Sequence, residues 1–272
     1  MNPELETILT QAQNVFNQRP SRPNYHGAVH VGVDLGTAYT VLAVLDEDRR
    51  PLAGRYQFAQ IVRDGLVVDF IGAIHLLKKM KAELEADLGF ALEKAATTYP
   101  PGVPLAEVKA TRNVLIGAGL ECSHFVDEPT GANALLQVRD GAVVDIGGGT
   151  TGIAIVRDGE VIYTADEATG GTHFSLVVAG ALKVSFEEAE KIKTDPAHGR
   201  MVSSLVYPVM QKVGSIVARH IQPYDVKTIY LVGGTSSLAG IGDVVHDMTG
   251  VPTVIPPHPM FVTPIGVAMT DG

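Results

Sequence analysis

Gly32-Val33-Asp34-Leu35-Gly36-Thr37-Ala38-Tyr39-Thr40 and Asp145-Ile146-Gly147-Gly148-Gly149-Thr150-Thr151 say nearly the same thing twice in one chain. The first lies between β-type runs at 28–33 and 39–45, the second between runs at 141–144 and 152–156. Acid, glycines and threonines between two such runs predict a β-hairpin with a sharply bent turn. Glycine has no Cβ, so backbone N–H groups there can approach an anion, and threonine hydroxyls add donors. One such turn is more often structural than functional. Two, each with a carboxylate at the end of its first strand, point to a duplicated clamp for the phosphates and Mg²⁺ of a nucleotide. Neither is a Walker A loop, since no G-x-x-x-x-G-K-[ST] occurs, nor a Rossmann fingerprint, since a strand follows each turn.

The rest of the chain sets limits on what such a clamp belongs to. Its 272 residues are comfortable for two domains, and 46% hydrophobic against 19% charged residues supply an ample core. A net charge of −9 speaks against nucleic acid and anionic membrane surfaces as partners. No apolar run reaches about 18 residues and no signal peptide opens the chain, so the expected compartment is the cytoplasm. Cys122 is the single cysteine. It excludes an intrachain disulfide and is expected as a small buried hydrophobe. His30, His75, His124, His173 and His258 show no metal-ligand spacing, and no Ser–His–Asp or H-E-x-x-H pattern suggests another hydrolase chemistry.

Around the hairpins the periodicities alternate. Leu5, Ile8, Leu9, Ala12, Val15 and Phe16 make one apolar helical face, followed by a Pro- and Gly-containing linker up to residue 27. That helix either docks on the host domain or is a short amphipathic peptide for another protein. A short strand is expected over 55–62, a turn at Arg63-Asp64-Gly65 and a helix over 67–88. A strand over 91–99 stops at Pro100-Pro101-Gly102, and a helix over 104–118 ends at Gly119. A strand over 122–126 delivers Asp127-Glu128-Pro129-Thr130-Gly131, with the next helix starting at 132. After the second hairpin come a strand over 161–165 and helices over 172–182 and 186–192, the latter with Ser185 and Glu188 at capping-box spacing. A polar break at 194–200, a helix over 203–220 and a strand over 228–232 lead to Gly233-Gly234-Thr235-Ser236-Ser237. A helix over 240–248, an edge strand over 253–255 and, from 264 to 269, a helix or turn follow.

Hairpin and αβ elements thus occur twice, an internal duplication. The expected fold class is α/β, with two duplicated domains and a nucleotide cleft between them. An arm and linker span 1–27; the first domain spans 28–140 with 258–272, the second 141–257.

In this order G-V-D-L-G-T, D-E-P-T-G-A, D-I-G-G-G-T-T, L-V-G-G-T-S and P-I-G-V-A resemble the five signature segments of the actin, heat-shock-chaperone and sugar-kinase ATPase superfamily. The resemblance covers roughly 29–269 and implies the actin-like ATPase fold, built of two ribonuclease-H-like domains. Arg63–Phe70, Thr98-Tyr99-Pro100-Pro101-Gly102 and Ala165-Asp166-Glu167-Ala168-Thr169-Gly170-Gly171-Thr172 further resemble a small chaperone-like branch of it. That branch is encoded with the ethanolamine-utilisation enzymes of a bacterial microcompartment.

What the resemblance implies can be stated residue by residue. ATP or ADP with Mg²⁺ is bound. Gly36 and Thr37 hold the phosphates from one hairpin, and Gly147, Gly148, Gly149, Thr150 and Thr151 from the other. Asp34 and Asp145 hold Mg²⁺ mainly through its waters. Glu128 orients the attacking water, with Pro129 keeping it extended ahead of its helix; the alternative is that Glu128 only caps that helix. Gly233, Gly234 and Thr235 pass close to ribose and adenine. Glu190 and Lys193, at i and i+3, flank the adenosine or form an exposed salt bridge. Gly266 allows close helix packing at a hinge.

Two departures matter. The early-strand lysine of the heat-shock chaperones has no counterpart, Arg55 and Arg63 being the available cations. Turnover is therefore expected to be on the order of 10⁻² s⁻¹ or less. The peptide-binding domain and lid of complete chaperones have no counterpart either. The implied function is a slow ATP-hydrolysing chaperone-like switch for ethanolamine-catabolic enzymes or microcompartment proteins, cytoplasmic or microcompartment-associated, its oligomeric state open. The alternatives are a non-hydrolytic or filament-forming actin-like scaffold and, ranked last, a sugar or acyl kinase. The N-terminal helix on its linker also resembles the peptides that recruit cargo to microcompartment shells.

Overall fold

The computed structural model describes residues 2–22, 24–63, 66–101 and 105–272, the side chains of 105–107 excepted. It divides into two compact units, Met1–Gln137 with Phe261–Gly272 and Val138–Met260.

The first unit begins with helix α1 (Pro3–Val15), capped by Asn2, whose side chain accepts from the Glu4 N–H. Leu5, Ile8, Leu9, Ala12 and Val15 are buried on its apolar face, which lies against strand β3 (Pro51–Phe58). The chain after it is stitched to that strand. Asn17 donates its N–H to the Gly54 carbonyl and Ser21 its N–H to the Leu52 carbonyl, at 2.9 and 2.8 Å. Gly54 is glycine because the Phe16 ring occupies its Cβ position, 2.4 Å away. Of the two readings of the N-terminal helix, the structure shows the docked one.

Strands β1 (His30–Leu35) and β2 (Tyr39–Leu45) form the expected hairpin, paired from His30↔Leu45 to Leu35↔Thr40. β3 extends the hairpin antiparallel to β2, starting and ending four residues earlier than the 55–62 strand expected from the sequence. A two-residue ladder, β4 (Val62–Arg63) with β5 (Leu66–Val67), flanks the predicted turn, whose Asp64 and Gly65 lie outside the described residues. Helix α2 (Phe70–Leu88) starts at its cap Asp69, which accepts from the Gly72 N–H, and ends at Gly89 with φ 82°. β6 (Lys94–Tyr99), α3 (Leu105–Gly117), β7 (Glu121–Asp127) and α4 (Glu128–Leu136) follow. The predicted Gly102 turn and the Pro104 helix start also lie outside the described residues. Alternation along β1 sends Val31, Val33 and Leu35 into a core shared with α2 and α3. Gly32 lies on the opposite face, where a Cβ would stand 2.5 Å from the Ala268 nitrogen of α9 (Val262–Met269).

The second unit repeats the pattern. β8 (Gly141–Ile146) and β9 (Thr151–Arg157) form the second hairpin, and β10 (Glu160–Glu167) extends it. Helices α5 (Gly171–Leu182), α6 (Phe186–Thr194), α7 (Gly199–Ile221) and α8 (Ile241–Thr249) share a core with β8 and β9. β11 (Ile229–Val232) runs parallel to β8, and β12 (Thr253–Val254) is the short edge strand. The sheet orders are β3-β2-β1-β6-β7 and β10-β9-β8-β11-β12, one topology written twice. Among the described residues one stretch, Pro196–Ile221, is long and apolar enough to cross a membrane. Yet its Val202, Val206, Met210, Val213 and Val217 are buried in the second core, and Arg200, Lys212 and Arg219 are exposed. It is a core helix.

Candidate functional site

Each hairpin closes its turn in the same way. Gly36 donates its N–H to the Tyr39 carbonyl at 3.1 Å, and Gly147 donates to the Thr150 carbonyl at 3.0 Å. The Gly36 and Gly147 N–H groups are therefore committed to the turns and not aimed outward. Asp34 and Asp145 occupy matching places, each two residues before that glycine. Asp145 is buried, and the Thr98 hydroxyl lies 3.3 Å from Asp34 Oδ1.

In the second unit the turn is braced from below. α5 begins at Gly171, and its first free N–H groups go to the hairpin: Gly171 to the Gly147 carbonyl at 2.9 Å, Thr172 to the Gly148 carbonyl at 2.7 Å. The Thr235 hydroxyl donates to the same Gly147 carbonyl at 2.8 Å. Gly170 must be glycine: a Cβ there would lie 2.7 Å from both the Gly149 carbonyl carbon and the Thr150 nitrogen. His173 completes the helix start, its Nδ1 accepting from the Gly170 N–H at 3.3 Å.

Glu190 and Lys193 are not an exposed salt bridge. Their carboxylate and ammonium meet at 2.7 Å with 8% and 6% of the side chains exposed. The Ser175 hydroxyl lies 2.5 Å from Glu190 Oε2, and Lys193 Nζ donates to the Gly171 carbonyl at 3.2 Å. Burial holds the Lys193 ammonium below its ordinary pKa, with the adjacent Glu190 charge and hydrogen bond pulling the other way.

The other sequence-derived residues divide. Gly233 has φ 84°, and a Cβ on it would stand 2.2 Å from Asp145 Oδ1, so it is glycine to let β11 end beside that carboxylate. Gly234 follows at the start of a 3₁₀ turn. Thr151 is fully buried and donates its hydroxyl to the Thr169 carbonyl at 2.7 Å. Thr37, Gly148 and Gly149 lie in the turns, with Thr150 buried beside them. Gly266 packs against α4: a Cβ there would lie 2.0 Å from the Gly131 carbonyl oxygen.

Glu128 is not held extended by Pro129. It is the first residue of α4; the extended residue is Asp127, whose Oδ1 accepts the Thr130 N–H at 3.0 Å as the cap. Pro129 in the first turn costs nothing, since its missing N–H would have had no partner there. Arg55 is also occupied, bridging Glu83 and Asp87 of α2 and donating to the Gln18 carbonyl. Cys122 is half-buried and packs against the first core, burial raising its thiol pKa. Ser175, Gly170 and Gly171 escaped the sequence reading as site residues. Only the Gly170-Gly171-Thr172 segment carried a signal, and it was read for resemblance alone.

Known proteins share this geometry at two levels of likeness. Among solved structures it superposes on the pilus biogenesis protein of the PilM–PilN complex (TM-score 0.73, 16% identity, 92% of this chain and 99% of that one). It likewise superposes on MreB5 of Spiroplasma citri bound to ADP (TM-score 0.71, 17% identity, 88% and 94%). The family models "Hsp70 protein" and "Cell division protein FtsA" match residues 69–198 and 142–266. The fold is that of the actin-like ATPases. At closer range, the ethanolamine utilization protein EutJ of Escherichia coli is 41% identical over 269 residues, 98% of this chain and 93% of that protein. The crystal structure of EutJ from Carboxydothermus hydrogenoformans gives a TM-score of 0.92 at 44% identity, covering 98% of each chain. The chain belongs to the EutJ family.

Proposed function

We propose that this protein is an ATP-binding, slowly hydrolysing, chaperone-like switch that serves ethanolamine-catabolic enzymes or microcompartment proteins. The observation that carries the reading is the braced turn of the second unit. There the Gly147–Thr150 turn, Gly171, Thr235 and the buried Glu190–Lys193 pair are joined by hydrogen bonds, and Gly233 lies close against Asp145. Burying an ion pair is costly, here offset by the hydrogen bonds to Ser175 and the Gly171 carbonyl, and at Gly170 and Gly233 the backbone comes so close that a Cβ would find no room.

The residues fit a nucleotide with its magnesium. Gly148, Gly149 and Thr150 offer backbone donors to phosphate oxygens, and Thr37 serves on the first hairpin. Glu190 and Lys193 serve the adenosine. Among the described residues no cluster of three or more His, Cys, Asp or Glu could hold a metal unaided. Asp34 and Asp145 suit an ion delivered by the phosphates and kept largely in its own water. Bound magnesium would neutralise phosphate charge. Glu128 orients the attacking water, and the protein's work is otherwise positioning.

A non-hydrolytic scaffold is the second reading, favoured by one observation: Arg55 is spent on Glu83 and Asp87. Calorimetric titration of Mg·ATP and Mg·ADP into the wild type and Asp145→Ala, followed by phosphate release, decides between them. Binding lost in the variant, with slow release by the wild type, is the expected result. Binding without release leaves the scaffold, and no binding by the wild type overturns both.

A further inference from the structure

We infer that Lys193 is a positioning residue for the phosphate-facing turn, acting through the backbone of Gly171, and not a nucleoside contact alone. The two backbone polar groups of Gly171 face different partners. Its N–H belongs to the hairpin, donating to the Gly147 carbonyl at 2.9 Å. Its carbonyl, at the other end of the same residue, accepts from Lys193 Nζ at 3.2 Å and has the Ser175 hydroxyl at 3.0 Å. Ser175 and Lys193 in turn share Glu190 Oε2, at 2.5 and 2.7 Å. A serine has one proton to give, so Ser175 serves either Glu190 or Gly171 at any moment. Only the ammonium, with three, holds both at once. Lys193 is thus the one group in the cluster that fixes Gly171 while staying bonded to Glu190.

Space reinforces the bonds. A Cβ on Gly171 would lie 2.6 Å from Thr235 Oγ1 and 3.1 Å from Lys193 Nζ, so the residue sits wedged between the hydroxyl that grips Gly147 and the ammonium. Whatever displaces Lys193 moves Gly171, and with it the brace under Gly147 and Gly148. A ligand that engages the Glu190–Lys193 pair therefore sets the turn, and the coupling runs through a single residue.

Amide hydrogen exchange on the nucleotide-free protein tests this without any ligand. Lys193→Met is compared with Lys191→Met, whose side chain is 78% exposed on the same helix. Because a lone buried carboxylate could unfold the unit, Glu190→Gln/Lys193→Met, which leaves no charge, is measured beside it. Exchange at Gly171 and Thr172 is expected to quicken roughly tenfold or more, with the β8–β9 ladder unchanged. Unchanged rates at those two amides, or a uniform rise across the unit, overturn the proposal.

A second arm rests on the nucleotide reading above. Lys193→Met is expected to weaken ADP roughly tenfold more than adenosine, because the phosphate grip loosens. Equal losses would mean that Lys193 serves the nucleoside alone, and would overturn the inference. Failure of the wild type to bind either ligand defeats the functional reading, while the exchange result still decides the relay.

Discussion

Gly233 shows how narrow the site is at the scale of one residue. Gly233→Ala is expected to cost at least about 1 kcal/mol for the left-handed backbone alone, and more for the overlap with Asp145. Urea unfolding checks the first part, and nucleotide titration of the folded fraction the second. Lys193 carries a pH signature. Its folded pKa lies below the unfolded value of 10.5, so the unfolded chain binds more protons between the two. Stability from this group therefore rises with pH through that window, and in Lys193→Met the rise should flatten when unfolding is followed across it. Glu167 has the opposite sign. Its hydrogen bond from His220, and beyond it the charges of Arg219 and His220, hold the carboxyl below its ordinary 4.5. The stability it contributes is complete above 4.5 and lost as pH falls through the folded value. The gap between wild type and Glu167→Gln should close on acidification; a gap independent of pH would show that the carboxylate's charge is not what matters.

Helix α1 sets the expectation at the scale of an element. Leu9 is fully buried beneath it, so Leu9→Ala should cost about 2–5 kcal/mol, read as a lowered urea midpoint for the first unit. A free recruitment peptide would show almost no such cost. The elements also show what the sequence could tell. Both hairpins were legible because their turn chemistry is local: acid, glycine and threonine announce a bend whatever lies around it. The helix over 67–88 was misplaced only at its start, where Asp69 and not the preceding apolar residues decides the cap. α4 was placed four residues late because Pro129 reads as a breaker, while in a first turn it is harmless. α7 begins before Ser203, directly after the Pro196–His198 turn, whose polar residues had looked like a loop. Glu190 and Lys193 could be placed on one helix face from their spacing. Their burial, and the Ser175–Gly171 contacts beneath them, join residues far apart in sequence, and no local pattern records them.

The whole molecule repeats one strand order in two units, yet the halves have diverged in detail. Thr40 and Thr151 hold matching places after their turns; Thr151 gives its hydroxyl to Thr169, while the buried Thr40 hydroxyl has no hydrogen-bond partner among the described residues. If nucleotide binds the folded chain alone, 100 times its dissociation constant should stabilise the protein by about 2.7 kcal/mol, visible as a raised melting temperature. An unshifted transition at saturating Mg·ADP would contradict the functional reading. The path of the chain has one more consequence. The first unit is not complete when its own strands have been made, because α9, buried from Val262 to Ala268, lies against β1 and comes from the far end of the sequence. During synthesis on the ribosome the usual N-to-C order of maturation is therefore reversed. The half made second can finish while the half made first still exposes the face that only α9, made after it, will seal.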